Sequence, residues 1–413
     1  MKIIFLNRFF YPDHSATSQL LTDLAFYLAN NEWDVSVICS RQRYDDPAAE
    51  LPVAEQVNSV QVYRVWTSRF GRHNLVGRGL DYLSFYLSAA WRLYCLAREG
   101  DIVVAKTDPP MISVVAGWVA RLRRAYLVNW LQDLFPEVAT ALKIKAVDGV
   151  LGRVFVRLRN HSLQQAKCNV VLGELMRQRL VREGIPEGQM CVVHNWADGE
   201  AITPQAESPL RREWELEGKF VVCYSGNLGR AHEFTTLLDA AESLQQEKEI
   251  VFLFIGGGPQ LATVQEEVQS RGLSNCMFHP YQPRERLRES LGVADLHLVV
   301  LRPELEGLIV PSKFYGIAAA GRPTVYVGDL QGEVAQIISH GDAGVAVAVG
   351  DGKGLAEQIV VLYKDFERCA RLGQNARLLF EKSYSKQRAL QAWSAALNAC
   401  GGQVIFGTKY GEP

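Results

Sequence analysis

Two segments of this 413-residue chain combine residue types and spacings suited to holding a diphosphate. In YSGNLGRAHEF (224–234) an apolar run ends in a loop bearing Gly226, Asn227 and Gly229, and a helix is expected to begin near His232. Glycines let backbone N–H groups approach an anion, and a helix N-terminus adds unsatisfied donors and a favourable dipole. Arg230, through its bidentate fork, and His232 can then pair with phosphate oxygens. The same glycines also suit a strand-to-helix turn that holds no ligand. The second segment, LRPELEGLIVPSKFYGIAAAGRPTVYVGD (301–329), places Glu304, Glu306 and Gly307 after an apolar run. A Pro-Ser-Lys turn follows, then a helix of small residues ending at Gly321 with Pro323 behind it. Glu306 can accept hydrogen bonds from sugar hydroxyls, and Ser312 and Lys313 can meet a diphosphate. Tyr281, closing NCMFHPY (275–281), is placed with this donor-binding set, whereas IGGGPQL (255–261) reads as a structural turn.

The elements that must position these residues follow from hydrophobic periodicity. In the first half, apolar runs at 2–7, 34–40, 60–66, 101–107, 125–133, 168–173 and 190–195 read as strands. Helical spacing falls at 18–31, 78–98, 111–122 and 150–166. The pattern restarts with strands expected at 220–226, 249–258, 275–281, 296–301 and 322–328, and a last helix at 385–400. Alternating strands and helices imply parallel sheets, whose ligands sit beyond the carboxyl ends of the strands. The expected division is therefore an α/β domain at 1–196, a second at 197–384, and a C-terminal helix and tail at 385–413 that can return to the first domain, with a cleft between the halves.

Composition excludes several classes. Apolar residues make up 48% and charged residues 22%, and net charge is −1, which argues for a folded soluble chain and against nucleic acid as a partner. The longest apolar stretches reach only about half the length needed to span a bilayer. Eight scattered cysteines, with no CxxC pair, read as reduced packed thiols, and no metal is expected. Between Arg64 and Arg124 ten Arg or Lys face four Asp or Glu, with aromatics interleaved. That stretch suits either solvated helix faces or attraction to an anionic membrane surface.

Together FFYPD, DLFPEVA (133–139), VVHNWAD (192–198), YSGNLGRAHEF, FLFIGGGP and EGLIVPSKFYGIAAAGRP resemble the retaining glycosyltransferases of family 4, of the two-Rossmann GT-B fold, especially bacterial members that build capsule, O-antigen or exopolysaccharide. The resemblance implies a nucleotide-diphosphate sugar as donor, expected to be UDP-linked, with no cofactor, a saccharide or polyprenyl-pyrophosphate-linked acceptor, and a cytoplasmic enzyme working at the inner membrane face. Glu306-Gly307 resembles the start of the family's paired-glutamate motif. The second Glu falls on Gly316, ten residues on and two beyond the usual spacing. Asn227 and His232 take the places of the family's loop Arg and Lys, leaving Arg230 and Lys313 as the expected phosphate cations. Gln132-Asp133 stands where the family often has His-Asp. Asp133 is expected either to orient a sugar or acceptor hydroxyl or to cap the helix beyond Pro136. His14, Ser15 and Thr17 replace a glycine-rich loop and are expected at the acceptor. The resulting catalytic set is Glu306, Arg230, Lys313 and Asp133. A nucleotide-sugar epimerase of the same fold and a non-catalytic degenerate transferase are the rival readings.

Overall fold

The computed structural model describes residues 1–44, 46, 49–71, 75–144, 147 and 149–402. It divides into two compact units: 1–140 with 144–193 and the chain from Leu390, and 141–143 with 194–389. Residues 403–413 of the expected tail lie outside the described residues.

The first unit holds eight strands: β1 (Lys2–Leu6), β2 (Asp34–Ser40), β3 (Ala54–Val57), β4 (Val60–Val65), β5 (Ile102–Lys106), β6 (Tyr126–Trp130), β7 (Cys168–Val171) and β8 (Met190–Val192). Their order is β3-β4-β2-β1-β5-β6-β7-β8, parallel except for β3 against β4. Helices α1 (Ala16–Asn30), α2 (Leu75–Leu96), α3 (Ile112–Arg123), α4 (Glu137–Ala141), α5 (Val150–Gln165) and α6 (Glu174–Arg182) link them. Strands such as β1 and β5 are almost wholly buried, as their unbroken apolar runs require in a sheet covered on both faces. Trp393, from the returning chain, packs its ring 4.5 Å from that of Trp130.

The second unit carries β9 (Phe220–Asn227), β10 (Ile250–Gly257), β11 (Cys276–His279), β12 (Leu296–Val300), β13 (Thr324–Gly328) and β14 (Gly344–Ala348), all parallel in the order β11-β10-β9-β12-β13-β14. Its helices are α7 (Pro209–Glu213), α8 (Thr235–Ser243), α9 (Leu261–Ser270), α10 (Leu287–Gly292), α11 (Lys313–Ala319), α12 (Glu333–His340), α13 (Gly352–Lys364) and α14 (Phe366–Leu379). Helix α15 (Lys386–Cys400) follows them and ends within the first unit.

Periodicity missed β3, a short half-exposed edge strand, and β14, whose Gly-Val-Ala-Val-Ala lacks β-forming bulk. Strand β11 ends at His279, so Tyr281 lies in the loop beyond it. All eight cysteines are free thiols. Among the described residues no helix is long and apolar enough to cross a membrane.

Candidate active site

In each sheet the chain starts in the middle and reverses direction, which leaves a crevice outside the carboxyl ends of the two central strands. In the second unit those strands are β9 and β12, so topology brings the 226–232 loop beside the 301–313 loop. The two loops are tied together: Arg302 N–H donates to the Ala231 carbonyl at 3.0 Å, and His232 Nδ1 lies 2.6 Å from the Val300 carbonyl.

Lys313, the first residue of α11, reaches back to this turn. Its Nζ lies 3.7 Å from the centre of the Tyr224 ring and 3.6 Å from where a Cβ on Gly226 would stand. The amine is buried and has no hydrogen-bond partner among the described residues. Burial pushes its pKa down to about 7. A buried donor without a partner is costly, and an anion on the Gly226 turn would relieve that cost. Gly226 (φ 126°) and Gly256 (φ 137°) make the close approach of β9 and β10 possible, since a Cβ on Gly256 would stand 2.1 Å from the Gly226 carbonyl oxygen. The IGGGPQL run is thus a structural turn against the loop.

The other expected donor residues are distributed around this centre. Arg230 is exposed beside the loop. Asn227 ends β9 with its side-chain amide wedged over Gly229 and Gly258. Tyr281 is exposed, its ring against Gly256 and Gly257. Ser312 stands exposed at the start of α11, with no side-chain capping bond. Glu306, followed by buried Gly307, accepts from the Tyr326 hydroxyl and from Glu333 N–H at 3.2 Å, at the start of α12. Burial raises its pKa, opposed by those two donors.

Two expectations need correction. The helix after the loop begins at Thr235 rather than near His232, and the Glu233 carboxylate accepts from Thr235 and Thr236 N–H. Its N-terminus is therefore already occupied by an anion of the chain's own. His232 is neutral in the unliganded site: burial, with the Lys313 charge, pushes its pKa down to about 3. The neutral ring donates Nδ1–H to Val300, which leaves Nε2 an acceptor.

In the first unit the central strands are β1 and β5; Arg8 and Asp108 lie in the loops beyond them, Thr17 in the first turn of α1 and Asp133 in the loop after β6. Thr17 Oγ1 donates to Asp108 at 3.4 Å, and buried Lys106 donates to the Thr17 carbonyl at 2.7 Å. Asp133 caps no helix. Burial pushes its carboxyl up to about 6, opposed by a hydrogen bond from Thr107, and its Oδ1 has no partner among the described residues. His14 is exposed, and Ser15 N–H donates to Asp13 Oδ1 at 2.8 Å. Residue patterns did not single out Arg8, Asp108, Tyr224 or Glu333. Arg8 and Asp108 each stand two residues beyond a strand end, a position that would have flagged them. Among the described residues no group of three His, Cys, Asp or Glu side chains is arranged to hold a metal.

Comparison with known proteins shows the family. Residues 17–196 match the glycosyl transferase 4-like domain, and residues 207–379 match the glycosyl transferases group 1 family. The chain is a group 1, family 4 glycosyltransferase. Among its relatives is a protein described as "Probable glycosyltransferase WbjE" of Pseudomonas aeruginosa, 26% identical over 335 residues covering 80% of this chain and 82% of WbjE. WcaI of Escherichia coli K12, named for colanic acid biosynthesis, is 25% identical and covers 56% of this chain and 58% of its own length. The Anabaena HepE structure in complex with UDP-glucose superposes with a TM-score of 0.72 at 17% identity, over 97% of this chain and 100% of HepE. The fold is GT-B, and this glycosyltransferase works with retention of configuration. Membership sets aside the epimerase reading.

Proposed function

We propose that the protein transfers a sugar from a UDP-sugar to a saccharide or polyprenyl-pyrophosphate-linked saccharide in the assembly of a cell-surface polysaccharide. The observation that carries the donor assignment is the buried Lys313 amine, held without a partner on the Gly226 turn. UDP-glucose in the related HepE structure supports the choice of nucleotide, and the colanic acid relative supports the pathway class.

In this reading Lys313 and Arg230 hold the diphosphate while Glu306 receives sugar hydroxyls. The bond from the anomeric carbon to the β-phosphate oxygen breaks and the acceptor oxygen bonds to that carbon on the same face. The acceptor proton passes to the departing phosphate, and fixed cations stabilise the charge that grows there. Asp133, in the first unit, orients the acceptor hydroxyl. No Asp-x-Asp stands at a strand end to bridge a metal to the diphosphate, so the cations are side chains.

The test is calorimetric titration of UDP, GDP and ADP in EDTA, followed by turnover of the matching nucleotide sugars with candidate acceptors. UDP binding, and acceptor-dependent UDP release that EDTA leaves intact, are expected. Failure of every nucleoside diphosphate to bind, or sugar turnover without acceptor, overturns the proposal.

A further inference from the structure

Helix α2 is apolar on two opposite faces. Phe85, Ala89 and Leu93 pack into the core of the first unit. Val76, Leu80, Leu83, Leu87, Trp91 and Tyr94 all point to solvent, Leu87 at 66% and Trp91 at 69% exposure. Their spacing of three and four residues sets them in one narrow stripe along 22 residues of helix. Core packing explains the first face and leaves the second unexplained.

The stripe has neighbours. Helix α3 packs beside α2 and α5 beside α3. Trp118, 69% exposed, and Leu122 continue the apolar surface on α3, and Leu151, Val154 and Leu158 continue it on α5. Monomeric soluble proteins seldom expose contiguous apolar surface of this extent unless something covers it.

Charge identifies the cover. The three helices carry seven arginines and one acidic residue, Asp81, which is buried and bound to Ser68 and the Phe70 N–H. Arg78, Arg121, Arg153 and Arg157 stand exposed among the apolar side chains. At the margin of α3 and α5 lies a groove of about 1050 Å³, lined in part by Trp118, Arg121, Leu158 and Lys167. An occupant with apolar chains and anionic heads matches both the crest and the groove. A second copy of this face would set arginine against arginine.

We infer that the α2-α3-α5 face docks on an anionic lipid bilayer, its apolar crest entering the acyl boundary and its arginines meeting phosphate headgroups. The surface differs from the 64–124 stretch expected from composition. Arg64 is buried and paired with Glu55, Lys106 and Phe85 are buried, Arg72 lies outside the described residues, and α5 is an added member.

The test is co-sedimentation of the full chain with phosphatidylcholine vesicles with and without phosphatidylglycerol, at 50 and 500 mM NaCl. Binding to the anionic vesicles alone is expected, weakened at least about tenfold at high salt as the charges are screened. Arg121→Ala and Arg157→Ala should each lower partitioning about fivefold, or ~1 kcal/mol. Leu87→Glu with Trp91→Glu should abolish binding with the melting temperature unchanged, because both side chains are exposed. Absence of binding to anionic vesicles at low salt overturns the inference, as does equal binding to neutral vesicles. A dimer in vesicle-free solution that Leu87→Glu dissociates also overturns it, by assigning the face to a second copy.

Discussion

Replacing Lys313 with Met separates a binding lysine from a structural one, because the two roles move stability and affinity in different directions. Methionine keeps the apolar stem and removes the ammonium. Burial pushes the amine's pKa from 10.5 to about 7, which costs the folded state at most about 5 kcal/mol. Its contact with the Tyr224 ring returns about 0.5–2 kcal/mol, and imperfect packing of methionine takes more. A net gain of roughly 1–3 kcal/mol raises the melting temperature by about 2–12 °C for a unit of this size. Affinity should fall instead. A charge-assisted hydrogen bond to phosphate is worth about 1.5–3 kcal/mol, so the dissociation constant for UDP rises roughly ten- to 150-fold. Because the folded pKa lies below the unfolded one, wild-type stability recovers as pH rises from about 7 toward 10.5. The advantage of the variant should therefore shrink by pH 9. Differential scanning fluorimetry with and without UDP, at pH 7 and 9, reads both quantities. A variant that melts lower and binds UDP as tightly as the wild type would refute the argument, since Lys313 would then be a packing residue.

Gly256→Ala sets a Cβ 2.1 Å from the Gly226 carbonyl oxygen at a φ of 137°; it should cost at least about 2 kcal/mol in urea unfolding and weaken UDP binding with it. Asp133 has a carboxyl pKa of about 6, so kcat/KM for the acceptor should rise with pH to a plateau above that value. Asp133→Asn should give a flat profile at least about tenfold lower, and an unchanged profile would remove Asp133 from the acceptor site. Glu306→Gln keeps one acceptor for the Tyr326 hydroxyl and loses the charge at the start of α12; turnover should fall at least about tenfold with UDP affinity little changed, which steady-state kinetics alongside calorimetry would check.

Unbroken apolar runs between helical segments announced two parallel sheets, because strands buried on both faces must be apolar throughout. The glycines of the 224–234 loop and the Pro-Ser-Lys turn were legible for a similar local reason: a sharp turn at a strand end leaves few residue choices. Sequence by itself therefore determined the fold class and the family, and pointed to the segments proposed to carry the donor chemistry. What it left open were relations between distant residues. Lys313 and the Gly226 turn meet only because β12 lies beside β9, and only packing against Tyr224 strips the amine of water. His232 looked cationic until burial beside Lys313 pushed its pKa down, and the α8 N-terminus looked open until Glu233 closed it. The stripe on α2 was visible as an apolar repeat, but which of its two apolar faces would be buried was decided by the sheet beneath it. Local patterns report the preferences of one segment, whereas burial and partnership belong to pairs of segments, and those exist only once the chain has folded.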